Sequence, residues 1–248
     1  MQRLKTAKDI DGIRESCVLL SRIFEELKSV VAEGITPREI DALVRSRARE
    51  MGAKPAFLGY RGFPAAICIS PNDAVIHGIP GKRKLKSGDI VGLDCGLNLR
   101  GFFSDAALTL PVGRVTPESE LLMRVTREAL ECAVGQAVCG NRISDISRAV
   151  YDTAKKNGLG VVRAYCGHGV GFSPHEDPEV PNYVHRGSNP RLKPGMVLAI
   201  EPMLTAGGDD VEVLDDDWTV VTADGSFSAH FEHTVAIFAG HTEVLTAW

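Results

Sequence analysis

The chain has 248 residues, 44% of them apolar and 24% charged, with a formal net charge of −4. That length and balance suit one large domain or two fused halves with a sizeable core, and they argue against nucleic acid or an anionic membrane as the main partner. The N-terminal stretch has no apolar core of signal-peptide length, and no segment approaches the roughly 20 apolar residues of a membrane span; a cytoplasmic protein with no membrane partner is expected.

In chain order, Ile10, Ile13, Cys17, Leu20, Phe24, Leu27 and Val31 recur at helical steps, and Gly34 is the expected stop. A second helix is predicted from Thr36-Pro37-Arg38-Glu39, where Thr36 caps, Pro37 fits the first helical position and Glu39 completes a capping box. Ile40, Leu43, Val44 and Ala48 supply its buried face. The stretch 53–111 then reads as β-rich, with strands at 66–70, 89–94 and 101–110. Thr116-Pro117-Glu118 opens a third helix and a fourth covers about 144–156, ending at Asn157-Gly158. Strand-like runs follow at 161–165, 196–200, 218–222 and 229–238. Two helices then strands, twice over, predicts an α+β fold in which helices cover a curved, largely antiparallel sheet, with its site in the concavity between halves. The six cysteines form no C-x-x-C pair, and most are expected to be small buried hydrophobes.

Four carboxylates stand in apolar contexts: Asp94 after Ile90-Val91-Gly92-Leu93, Asp105 before Ala106-Ala107-Leu108, Glu201 after Val197-Leu198-Ala199-Ile200, and Glu232 between Phe231 and His233. Taken singly, each could be an ordinary strand-end or turn residue. As a set they predict buried acids that must be paired, protonated or bound to a cation. Basic residues nearby are few, so metal is the simplest partner, and His168, between Gly167 and Gly169, is the natural imidazole.

The segments 67–80, Gly167-His168-Gly169-Val170-Gly171, His175-Glu176, Ile200-Glu201-Pro202-Met203 and Phe231-Glu232-His233-Thr234 closely resemble type I methionine aminopeptidases, over about residues 4–240. These are pita-bread (creatinase/aminopeptidase) metallopeptidases. The resemblance implies one catalytic domain over residues 1–248, with pseudo-two-fold halves at about 1–112 and 113–248. It implies two divalent ions, of cobalt, manganese, iron or zinc, held by Asp94, Asp105, His168, Glu201 and Glu232, with Asp105 and Glu232 shared. His77, His175 and Glu201 are the implied catalytic residues: Glu201 a proton shuttle, His175 a donor to the developing oxyanion and His77 a contact to the scissile amide. Tyr60, Phe63, Cys68, His77, His175 and Trp218 are the implied substrate-binding residues, with Phe57 and Pro174 at two further pocket positions. The implied partner is the N-terminal methionine of nascent polypeptides, bound by a monomer.

Gly96 stands where many such enzymes carry threonine, and His230 where glutamine is usual. The Gly101–Asp105 stretch is also similar to prolidases and aminopeptidase P. A proline-directed peptidase and a non-catalytic adaptor are therefore the alternatives, although all five ligand positions argue against the second. Lys82-Arg83-Lys84 with Lys86 could touch ribosomal RNA transiently, but a solvated turn is the simpler reading. Asp215-Asp216-Asp217 reads as a solvated loop, and His185 and His241 as surface residues.

Overall fold

The computed structural model describes residues 3–248. Helix α1 (Ala7–Val30) starts on a capping box: Asp9 N–H donates to Thr6 Oγ1 at 3.2 Å and Thr6 N–H to the Asp9 carboxylate at 2.8 Å. Helix α2 (Pro37–Glu50) repeats the device with Thr36 and Glu39, as its sequence predicts. Each such cap is worth about 1 kcal/mol. Helices α3 (Pro117–Gln136) and α4 (Ile143–Lys156) complete the set, the latter capped by Asn157 and followed by Gly158 in the left-handed region. One expectation shifts: α1 stops before Val31, whose N–H still caps the Leu27 carbonyl, and Gly34 sits in the turn beyond.

Strands Ile90–Leu99 and Phe102–Pro111 form an antiparallel hairpin closed by Arg100 and Gly101, both at positive φ, the geometry a two-residue hairpin turn requires. Cys68–Pro71 pairs on the other side of Ile90–Leu99. A second antiparallel sheet runs in the order Thr242–Val244, His233–Ile237, Val197–Ile200, Gly167–Gly169, Glu176–Val180. The main core lies between sheets and helices: Leu20 and Phe24 of α1, Val44 of α2, Leu122 and Leu130 of α3 and Val150 of α4 meet Leu93, Leu108, Leu198 and Val235. The α+β architecture is therefore the expected one. Among the described residues no helix is long and apolar enough to cross a membrane.

Three expectations are corrected. The run 229–238 is two strands, Ser228–His230 and His233–Ile237, broken at Phe231-Glu232. Opposite that break lies Glu201-Pro202, between Ile200, paired to His233, and Met203, paired to His230. Proline offers no N–H, so the ladder is interrupted there and both glutamates leave it. The run 161–165 contributes only Gly160–Val161. Of the cysteines, Cys17, Cys68 and Cys95 are buried, but Cys132 and Cys139 are exposed and Cys166 half-buried, because the first of these lies on the outer face of α3 and the second in the turn after it.

The first sheet is joined along one seam to the second and to Ser228–His230, which belongs to a third sheet with Met203–Thr205 and Gly160–Val161. Glu232 N–H donates to the Ala107 carbonyl at 2.8 Å. Two residues to either side, threonine hydroxyls replace the direct ladder. Thr234 Oγ1 accepts from Asp105 N–H at 3.2 Å and donates to the Asp105 carbonyl at 2.7 Å. Thr109 Oγ1 does the same for His230, at 2.9 Å in both directions.

Candidate metal centre

Side chains alternate along a strand, so residues 94 and 96 share a face, as do 105 and 107. Asp94 pairs with Ala107 and Gly96 with Asp105, which sets the two aspartates diagonally on one face. His168 pairs with Ala199, so Glu201, two residues on, falls diagonal to it by the same argument. The seam at Ala107 delivers Glu232. All five side chains line one cavity of about 290 Å³. His168 Nε2 lies 3.4 Å from Glu201 Oε1 and 4.0 Å from Asp105 Oδ2, and donor atoms of Asp105, His168 and Glu232 fall within 4.8 Å of one another.

The electrostatics of this floor are unbalanced. Asp105 is 3% exposed and Glu232 2%, and burial followed by the other carboxylates pushes both far above the usual carboxylate range. Burial raises Asp94 to about 7 and Glu201 to about 8. Imidazoles do not compensate. His168 Nδ1 lies 2.9 Å from the Gly169 carbonyl, which leaves Nε2 to face the acids, and burial, then His175, lowers the ring to about 3. His230 Nε2 approaches Glu201 Oε2 at 3.5 Å without forming a hydrogen bond. Asp94 Oδ1, Asp105 Oδ1 and Glu232 Oε1 are buried with no hydrogen-bond partner among the described residues. Unpartnered carboxylate oxygens around one neutral imidazole are the donor set that hard and borderline divalent cations take, so these residues fit a metal.

This imbalance gives the metal-free protein a distinctive pH profile. The folded carboxylates hold protons that the unfolded chain releases above about pH 4, so their contribution to stability falls as pH rises, through about 7 for Asp94 and about 8 for Glu201. Burial holds His77 at about 4 and His168 at about 3, whereas unfolded histidine takes a proton below about pH 6.5. That contribution rises with pH, and it is complete by about 6.5. The melting temperature in chelator should therefore change little from about pH 5 to 6.5 and drop several degrees by about pH 8.5. Excess divalent metal should abolish the drop. Scanning calorimetry that showed a steady climb to pH 8.5 in chelator would contradict the unbalanced floor.

The cavity wall is aromatic and apolar. Phe63 meets Trp218 edge-on at 5.1 Å, and His77, at φ 58°, lies edge-on to Tyr165 at 5.6 Å and Trp218 at 6.2 Å. Cys68, opposite Asp94 in the ladder, closes the inner end. His175 stands exposed at the mouth, stacked on Tyr60 at 5.3 Å and 4.2 Å from the His168 ring. Desolvation of its inner side, then the Arg61 guanidinium, lowers its pKa. All six expected substrate-binding residues thus line the cavity, as does Phe57; Pro174 is buried and is not part of the lining.

Sequence reasoning missed the wall residues Arg61, Ala164, Tyr165 and Cys166, which carry no motif, and Ile76, which lies in the segment 67–80 but is given no role by the resemblance. It also missed Asp216. Its carboxylate accepts from the Trp218 and Thr219 N–H groups at 2.9 and 2.7 Å and from the Thr219 hydroxyl at 2.6 Å, which builds the turn that presents Trp218. An aspartate two residues before a tryptophan was the available signal. The neighbouring Asp215 and Asp217 are exposed, as are His185, His241, Lys82, Arg83, Lys84 and Lys86.

Gly96 has a steric reason of its own. A Cβ there would lie 2.9 Å from the Ser104 carbonyl oxygen and 3.1 Å from Phe57 Cε1. Gly96→Ala should strain the Ser104 backbone and press on Ala56 and the cavity-lining Phe57 ring, with a loss of roughly 1–3 kcal/mol of stability from overpacking and about a tenfold rise in KM for the peptide substrate that the resemblance implies. An unchanged KM would show that Phe57 has room to retreat.

Residues 11–239 match the metallopeptidase family M24. A methionine aminopeptidase of Treponema pallidum is 52% identical over 99% of this chain and 96% of its own length. The crystal structure of a methionine aminopeptidase from Thermotoga maritima superposes with a TM-score of 0.97 at 41% identity, covering both chains completely. The prolidase from Pyrococcus furiosus superposes at 0.82 with 25% identity, over 99% of this chain but 65% of its own. The fold is therefore the pita-bread fold that these metallopeptidases share. A match over most of the chain, full-length relatives, and a floor of buried acids that fits a cation lead to one conclusion: the chain belongs to metallopeptidase family M24 and uses divalent metal.

Proposed function

We propose that the protein removes the N-terminal methionine from newly made polypeptides by metal-dependent hydrolysis, acting as a cytoplasmic monomer. The observation that carries the reading is the pairing of an acidic floor with an aromatic, sulfur-compatible wall in one cavity, in a chain 52% identical to a methionine aminopeptidase. The whole chain, with its two halves, works as one catalytic domain.

Asp94, Asp105, His168, Glu201 and Glu232 would hold two divalent ions of cobalt, manganese, iron or zinc, with Asp105 and Glu232 the two carboxylates that both ions would share. Such a pair supplies an activated water and a Lewis acid for the scissile carbonyl. The remaining work falls to this chain's residues. Glu201 takes the proton of the attacking water and returns it to the leaving nitrogen. His175, neutral near pH 7 because its pKa is lowered, donates its N–H to the carbonyl oxygen as charge develops there. His77 hydrogen-bonds the scissile amide. Tyr60, Phe63, Cys68 and Trp218 enclose the thioether, which aromatic edges contact favourably.

The test is hydrolysis of Met-Ala-Ser by protein stripped with chelator and resupplied with each metal in turn. Methionine release should vanish on stripping and return with metal. Cleavage of X-Pro peptides in place of Met-Ala-Ser would move the assignment to a proline-directed peptidase, and inactivity toward both would favour the adaptor.

A further inference from the structure

The segment 245–248 runs directly behind the break in the ladder that frees Glu232. Leu245 N–H donates to the Thr234 carbonyl at 2.9 Å, and Thr246 Oγ1 accepts from Thr234 N–H at 3.1 Å and lies 3.0 Å from His233 Nδ1. Trp248 then reaches Glu232 itself: its indole Nε1–H donates to the Glu232 carbonyl at 3.0 Å. The indole is fixed in turn. It stacks on His233 at 4.4 Å and 12°, touches Phe231 at 5.6 Å, and carries the Arg127 guanidinium of α3 at 5.3 Å.

Glu232 therefore has its backbone held from two sides, its N–H by Ala107 of the first sheet and its C=O by the Trp248 indole. Neither bond belongs to the sheet that carries the residue, because that ladder is broken at Phe231-Glu232. Groups that orient a ligand contribute to metal affinity even when they never touch the metal. We propose that Trp248 is a positioning residue of the metal centre, which sets the height of the Glu232 carboxylate above the floor. The inference rests on the reading of Glu232 as a ligand.

Trp248→Phe keeps a ring against His233 and removes only the donor. Thr246→Val loosens the same segment without touching Glu232. Each metal-free variant would be titrated with Mn²⁺ by calorimetry, and its melting temperature in chelator recorded, beside wild type and Glu232→Gln. Trp248→Phe should bind Mn²⁺ about tenfold more weakly than Thr246→Val, whatever either loses in melting temperature. Equal affinities for the two variants, or a wild-type affinity in Trp248→Phe, would overturn the positioning role while weak binding by Glu232→Gln still upheld the ligand. Wild-type binding by Glu232→Gln would remove both.

Discussion

Asp105→Asn should abolish hydrolysis and make the metal-free protein more stable. Asp105 is one of the two shared ligands proposed, and loss of a shared carboxylate removes the geometry that activates water and polarises the carbonyl. A fall in kcat/KM of at least about 1000-fold is expected, several kcal/mol of lost transition-state stabilisation. The stability effect has the opposite sign. Burial, Asp94 and Glu201 together oppose ionisation of Asp105, and its Oδ1 has no hydrogen-bond partner among the described residues. Asparagine keeps the shape, carries no charge and brings an amide donor to neighbouring acids that need one. In chelator at pH 8 the variant should melt several degrees above wild type. An inactive variant that melted lower would mean a damaged fold, and would sink this account of Asp105.

His175→Ala should lower kcat about 100-fold and leave KM within a few-fold, the signature of a donor used in the transition state rather than in ground-state binding. The ring is well placed for that role: it stacks on Tyr60 at the mouth and lies 4.2 Å from the His168 ring, beside the acids but with no hydrogen bond to them. Its lowered pKa keeps it neutral, so the activity it supports should persist on the acid side until the ring protonates below its ordinary range. A large rise in KM with kcat intact would make His175 a wall of the methionine pocket only.

Much of this was legible before any coordinates. Helix starts were readable because Thr36 and Glu39 satisfy each other's backbone partners locally, with no help from the rest of the chain. The four acids were readable because a carboxylate inside an apolar strand pattern is costly enough to need a reason. What could not be read was how the strands join. The break at Phe231-Glu232 follows from Pro202 on a neighbouring segment, a pairing that no local pattern reveals. The wall residues Tyr165 and Cys166 lie in an irregular stretch, where the strand-like run 161–165 points to a pairing that stops at Val161. Nothing in the local sequence marks Trp248, because its use depends on a carbonyl 16 positions earlier that only the fold exposes.

The threonine seam sets the order in which this protein can acquire activity. Thr234 grips Asp105 across 129 positions and Thr109 grips His230 across 121, so the metal site is assembled from contacts with some of the largest loop-closure costs in the chain. Helices, whose contacts are local, form without reference to it; long-range pairings come late. A chain emerging from synthesis therefore holds Asp94 and Asp105 early, as two mutually repelling acids on an open hairpin, and gains a competent centre only once residue 234 has arrived and docked. Catalysis in this design reports complete folding, and a half-made enzyme is a silent one.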